Sequence, residues 1–257
     1  MAGPAEATAG PAIGPDSDGV DRSGAAATVA PAPSAATAGR IDVISDAICP
    51  WCFIGKRHME GALARLAPEG LRFDVHWRPF QLNPEMPRAG AERVAWRRAK
   101  FGSDARAEEL DARVTAAATS AGIAMRLDRI GRTPNTLDAH RLVWLAEAEG
   151  AQDAVVEALF TAYFIEGRDI GDRAELAAIG AGAGLDGAAV ARRLEGSDGE
   201  REVRREDRAA RRAGLQGVPT FTLDSHILFS GAVPADTVAE ALRSAWRVLH
   251  GGATRSA

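Results

Sequence analysis

Cysteine is scarce: the 257 residues include only two. So few thiols exclude a scaffold stapled by several disulfides, and they exclude a four-cysteine zinc site. Long apolar runs are also missing. None approaches the ~18–20 residues that a membrane-spanning helix requires, so the reading is of a protein with no membrane partner. An excess of positive charge is absent too. A net charge of −4 and a pI near 5.8 are the reverse of a dedicated nucleic-acid binder's balance. Between Met1 and Arg40 there is no aromatic residue, and the stretch is mostly Ala, Gly, Pro, Ser and Thr. It holds too few large apolar side chains to offset the entropy of ordering, so residues 1–40 are expected to be a disordered tail. This stretch also lacks the pattern of a secretory signal. No basic residue precedes Arg22, and Gly and Pro interrupt every apolar segment, which predicts a cytoplasmic protein. The tail carries a net −2, leaving −2 on the remainder, which is nearly neutral.

What is present is a chain 46% hydrophobic and 26% charged, long enough for one large domain or two small ones. Ile41–Ser45 is a short β-branched run that suits a buried strand. After Cys49-Pro50-Trp51-Cys52, Phe53, Met59, Leu63 and Leu66 recur at helical spacing up to Leu66, and Pro50 is tolerated in a helix's first turn. Pro68-Glu69-Gly70 breaks this helix, and Leu71–Trp77 alternates like a half-buried strand. Strand, helix, strand in under forty residues reads as a βαβ unit if the strands are parallel.

From about Arg93 to Arg212 the pattern is almost entirely helical. Helices are expected near Trp96–Phe101, Glu108–Ala121, Leu137–Glu149 (capped by Asn135-Thr136, stopped by Gly150), Ala154–Ile165, Arg173–Ala183 and Glu200–Ala213. Val218–Leu223 and Ile227–Ser230 then read as two strands joined at Asp224-Ser225, followed by a helix from about Ala235 to Leu249. The whole suggests an α/β domain in two parts, 41–88 and 214–250, interrupted by a helical insertion over 89–213, with a flexible end at 251–257.

The two cysteines form a C-x-x-C pair, which fits half a zinc site, two inert buried thiols or a redox couple. Directly after a strand and opening a helix, Cys49 falls where unpaired N–H groups and the helix dipole attract negative charge, and the thiolate is the form that exchanges disulfides. Cys52, one turn deeper, would then be the resolving thiol. Zinc would need about two further ligands, and the only nearby histidine, His58, lies six residues on along the same helix. The expectation is therefore no metal. A second feature is Val218-Pro219-Thr220 at the start of a strand, where Pro219 fits either an ordinary trans entry or a cis bond.

Four blocks carry a family resemblance: Asp46–Lys56 (DAICPWCFIGK), Trp77–Pro84 (WRPFQLNP), Thr133–His140 (TPNTLDAH) and Gly217–Phe221 (GVPTF). Together they resemble the FrnE-like branch of the DsbA family of thiol–disulfide oxidoreductases, from Ile41 to about Leu249. The resemblance implies a thioredoxin-like fold with a helical insertion, Cys49 as nucleophile, Cys52 as its partner and Pro219 as a cis-proline facing the disulfide. Pro50, Trp51 and Val218 would join Pro219 against the substrate. It also implies that block 133–140 lies near the active site. The substrate would be a thiol or disulfide, protein or small molecule, with glutathione among the candidates; no cofactor is implied and the oligomeric state is left open. Two rivals remain. One is a glutathione-dependent isomerase or transferase of the kappa-class type, against which both cysteines count because those enzymes usually carry serine at the position of Cys49. The other is a non-enzymatic chaperone or peptide-binding module.

Other residues read more plainly. His140, among Leu137, Leu142 and Val143, is expected to be a core or surface histidine rather than a catalytic one. Asp46 fits either a loop acid or a group that influences proton transfer. Trp77, Trp96, Trp144 and Trp246 are expected to anchor the core, and Arg201–Arg212 to be a solvated helix face.

Overall fold

The structure is a computed structural model, and it describes residues 37–251. The expectation of a disordered tail falls mostly on residues 1–36, outside the described residues, as does all but the first residue of the expected flexible end. Strand β1 (Gly39–Ser45) begins two residues earlier than the sequence pattern indicates, because Arg40 N–H is held by Asp224 Oδ1 at 2.9 Å. Helix α1 (Pro50–Leu66) follows, its inner face made by Phe53, Ile54, Met59, Ala62 and Leu66. Strand β2 (Phe73–Pro79) returns parallel to β1, in register from Gly39 with Phe73 to Ser45 with Pro79. The βαβ unit is therefore real, and Ile41 and Val43 are buried as a central strand requires.

Between β2 and the last strands come β3 (Ala91–Glu92), α2 (Arg93–Phe101), α3 (Asp104–Ser120) and β4 (Arg132–Thr133), the two short strands pairing antiparallel. Next are α4 (Leu137–Glu147), α5 (Gln152–Thr161, running into one wide turn at Ala162–Glu166), α6 (Arg173–Gly182), α7 (Gly187–Glu195) and α8 (Glu200–Arg212). Helix α7 has no counterpart among the helices read from sequence, although Asp186 caps it by accepting from Ala189 N–H at 3.0 Å. At α4 the side chain that caps is Asn135, which accepts from Leu137 N–H at 2.9 Å, while Thr136 makes no cap bond.

Strands β5 (Thr220–Leu223) and β6 (His226–Ser230) complete a sheet of order β2-β1-β5-β6, and α9 (Ala235–His250) packs on α1. The β5–β6 turn places both Asp224 (φ 46°) and Ser225 (φ 69°) in the left-handed region, as a two-residue hairpin turn of matching twist needs. This is a mixed α/β, thioredoxin-like arrangement with the helices α2–α8 inserted between β2 and β5.

The helices are fastened to the sheet by packing and by hydrogen bonds. Phe53 of α1 stacks on Phe160 of α5 at 5.1 Å, and Trp77 of β2 meets Phe160 edge-on at 6.4 Å. Strand β2 is a sheet edge, and Gln152 covers it by accepting from Trp77 N–H at 3.1 Å and donating to Trp77 O at 3.4 Å. Of the expected tryptophan anchors, only Trp77 is fully buried; Trp96, Trp144 and Trp246 are half-buried. Helix α8 is not wholly solvated either, since buried Asp207 accepts from Gln81 N–H at 2.8 Å.

Candidate active site

Strand register brings three of the four sequence blocks to one end of the sheet. β1 runs toward Asp46 and Cys49, and parallel β2 delivers Phe80–Asn83 beside them, with Phe80 N–H donating to Ser45 O at 3.0 Å. Antiparallel β5 starts from the same end, pairing Thr220 with Ile44, so Pro219 arrives next to Ser45. The fourth block comes from the inserted segment: Thr133 of β4 and His140 of α4 both reach this end.

Cys49 is the N-cap residue of α1, with extended backbone (φ −91°, ψ 110°), and Pro50 takes the first helical position, where no N–H is required. The Cys49 thiol donates to the Val218 carbonyl at 3.6 Å. The Val218–Pro219 peptide bond is cis. Behind it α1 comes so close that a Cβ on Gly55 would sit 3.0 Å from Pro219 Cγ and 3.3 Å from Phe221, which accounts for glycine there. Both cysteines are free thiols. Cys52 is 1% exposed, and its thiol is pushed well up, first by burial and then by a hydrogen bond and charge from Cys49; contacts from Ser45 and the Asp46 backbone oppose this only in part.

The site residues divide into two sets. Cys49, Pro50, Trp51 and Val218 line a cleft of about 400 Å³, with Trp51 39% exposed at its rim. Cys52 and Pro219 are buried behind that surface, and Cys49, although it lines the cleft, is itself only 4% exposed. The opposite wall, supplied by α2 and α3, includes Arg93, Trp96, Arg97, Lys100 and Arg113, of which only Trp96 was singled out from the sequence, and then as a core anchor. Trp96 is thus a cleft residue and not a core anchor, and Lys100 Nζ lies 4.5 Å above its ring. These residues are 40 or more positions from the cysteines, and no local pattern announces that α2 folds back over them.

Asp46 and His140 form a buried polar pair beneath this end of the sheet. Asp46 is 0% exposed, and its Oδ2 accepts from Leu82 N–H at 2.7 Å. Its Oδ1 lies 3.3 Å from His140 Nε2, yet neither atom has a hydrogen bond, because the angles are wrong for one. His140 is therefore a buried residue, in line with the core alternative, and one that neighbours the site loop. His58 is directed elsewhere, its Nδ1 2.8 Å from the Val233 carbonyl. Among the described residues, no three His, Cys, Asp or Glu side chains cluster as a metal site would need. Among them, too, no helix is long and apolar enough to cross a membrane.

Comparison with known proteins agrees with this geometry. The model of the DSBA-like thioredoxin domain matches residues 40–243. The chain belongs to the DSBA-like thioredoxin domain family. It is similar to the crystal structure of a probable DsbA oxidoreductase from Streptomyces coelicolor, at 33% identity and a TM-score of 0.74, covering 85% of this chain and 92% of that one. The cytosolic disulfide reductase DsbM from Pseudomonas aeruginosa, in a structure with GSH, shares the fold at 21% identity and a TM-score of 0.55, covering 84% and 100%. The Bacillus subtilis (strain 168) protein YwbO is 26% identical over 204 residues, 79% of this chain and 94% of its own length.

Proposed function

We propose that the protein is a thiol–disulfide oxidoreductase that works through Cys49 and Cys52 of its Cys-Pro-Trp-Cys motif. One observation carries the reading: of two buried thiols on a single helical turn, Cys49 (4% exposed) lines the cleft, while Cys52 (1% exposed) does not and has its proton held by burial. The Cys49 thiolate attacks one sulfur of a substrate disulfide. A Cys49–substrate S–S bond forms, the substrate's own S–S bond breaks, and the departing sulfur carries the electron pair and takes a proton from water. Cys52 then loses its proton and attacks Cys49 Sγ, closing the Cys49–Cys52 disulfide and expelling the second substrate thiolate. The two protein thiols are oxidised and one disulfide is reduced to two thiols; run in reverse, the sequence oxidises a dithiol. Both steps are sulfur exchanges that call for neither metal nor organic cofactor.

In this reading Pro50, Trp51 and Val218 contact the substrate, and Pro219 holds the Val218 carbonyl against Cys49. Residues 41–88 and 214–250 act as the thioredoxin-like part, with 89–213 as the insertion that walls the cleft. The four sequence blocks support placement in the FrnE-like branch. The fold shared with cytosolic DsbM supports a cytoplasmic setting, and its GSH supports a small thiol such as glutathione among the substrates.

The test is insulin reduction together with mass spectrometry of trapped adducts. Wild type should turn over, Cys49→Ser should be inactive, and Cys52→Ser should accumulate a mixed disulfide on Cys49 that dithiothreitol reverses. Turnover that survives both substitutions would sink the proposal. Glutathione conjugation surviving both would point to a transferase, and holdase activity alone to a binding module.

A further inference from the structure

The wall that faces Cys49 across the cleft is cationic in a chain whose net charge is −4. Among the described residues, four cations line it, Arg93, Arg97, Lys100 and Arg113, against one acid, Asp111. That acid is already shared, with Oδ2 2.9 Å from Arg93 and Oδ1 2.6 Å from Arg97. Arg113 has Glu109 only at 3.6 Å, and Glu109 also serves Arg106. Lys100 has no carboxylate within 4.0 Å among the described residues. Its Nζ donates to Asn83 Oδ1 at 2.6 Å and sits over Trp96. An ammonium has three donors, so two remain without a hydrogen-bond partner among the described residues. At about 400 Å³ the cleft falls in the range of small-molecule sites, about 300–1,000 Å³. Aromatic and aliphatic side chains of Trp51, Phe101 and Leu110 supply its apolar lining.

We propose that this cleft takes small disulfides whose halves each carry a carboxylate, and that Lys100 is the residue that reads this charge. The inference rests on the thiol–disulfide reading above and names its substrate class. The carboxylate meets the Lys100 ammonium, and the apolar walls receive the carbon chain. The disulfide is thereby presented to Cys49, which cleaves it as already written: one substrate disulfide is reduced to two thiols as Cys49 and Cys52 are oxidised.

The experiment measures single-turnover oxidation of the fully reduced protein by three disulfides of similar size: 3,3′-dithiodipropionate (dianionic), hydroxyethyl disulfide (neutral) and cystamine (dicationic). Each rate is divided by that of dithiothreitol with the same disulfide, which removes differences in intrinsic reactivity. Wild type should favour the dianion over the neutral disulfide about ten-fold at low ionic strength and disfavour cystamine, with the preference shrinking in high salt. Lys100→Gln should bring the dianion-to-neutral ratio close to one, whatever it does to the hydroxyethyl disulfide rate itself, and Lys100→Arg should keep the ratio. Lys100 is exposed at the cleft, so these variants retain the fold. A lysine that only tuned Cys49 would change all three rates alike and leave the ratio untouched. A wild-type ratio near one, or a ratio unchanged in Lys100→Gln, overturns the inference and leaves the thiol–disulfide reading standing. Failure of all three disulfides to oxidise Cys49 and Cys52 overturns both.

Discussion

The chain has two lysines, Lys56 and Lys100, and they lie in contrasting surroundings. Lys56, one turn beyond Cys52 on α1, is 2% exposed and meets Glu60, Asp153 at 3.0 Å and Glu157 at 3.3 Å. Burial works to lower its pKa, but hydrogen bonds and charge from Glu60 and Asp153 outweigh that and hold it above the ordinary lysine value. At Lys100 partial burial prevails, the pull of Asp46 and Cys49 is too weak to offset it, and the pKa falls below the ordinary value. Both ammonium groups are desolvated to some degree; the difference lies in their partners. A matched cation fastens α1 to α5, whereas an unmatched one in the cleft is left to a ligand. Arg141 extends the first kind. It is 0% exposed and donates to Asp138 and to the carbonyls of Arg193, Leu194, Gly196 and Asp198, closing the end of α7.

This contrast is best broken at its most buried member. Arg141→Met should destabilise the protein by about 3–5 kcal/mol, since it strips four carbonyls of their donor and weakens the charge balance at Asp138. Urea unfolding at neutral pH measures this, and a loss below about 1 kcal/mol would show that the carbonyls find other donors. Lys56→Met should cost less, about 2–3 kcal/mol. Its partners Glu60, Asp153 and Glu157 are 40%, 59% and 33% exposed and regain water once the ammonium is gone. Neither change should alter the preference among charged disulfides. An altered preference in Lys56→Met would erase the distinction between the two lysines.

How far the sequence revealed the molecule follows the range of the interactions involved. The strand–helix–strand opening was legible because each element is short, strongly patterned and closed locally by Pro50 and by Pro68-Glu69-Gly70. The Asp224-Ser225 turn was legible for the same reason. The cysteine pair and Pro219 were visible as residues, but their meeting depends on the pairing of Ile44 with Thr220, a contact across most of the chain. Trp96 and Lys100 carry no local mark of a cleft: they lie on a short amphipathic helix whose placement is decided by packing far from them in sequence. Arg141 looked like any helix arginine in Ala139-His140-Arg141-Leu142, and only the return of α7 shows what it binds. Asp207 likewise sits in a run of mixed charge and is singled out by the Gln81 amide alone.

A smaller effect separates the two thiols. Folding raises the Cys52 pKa, so above the unfolded thiol's pKa, near 8.5, the folded state retains a proton that the unfolded state releases. Stability is therefore whole below that pH and declines as pH rises above it. Reduced wild type should lose about 1 kcal/mol more than Cys52→Ala between pH 8 and 9.5 in urea titrations. Parallel curves would mean that Cys52 is not sealed as the cleft geometry requires.

The smallest expected effect is on the stability of Lys100→Gln, and it sharpens the comparison most. Lys100 has no carboxylate to lose among the described residues, the residue is exposed although its ammonium is partly desolvated, and Arg93, Arg97 and Arg113 line the same cleft. Removing one positive charge from such a group relieves repulsion about as much as it forfeits in the bond to Asn83. Unfolding free energy should then stay within about 0.5 kcal/mol of wild type, while selectivity among charged disulfides collapses. A loss comparable to that of Lys56→Met would mean that Lys100 is matched after all by something in the fold, and that the positive wall is there for stability rather than for substrate.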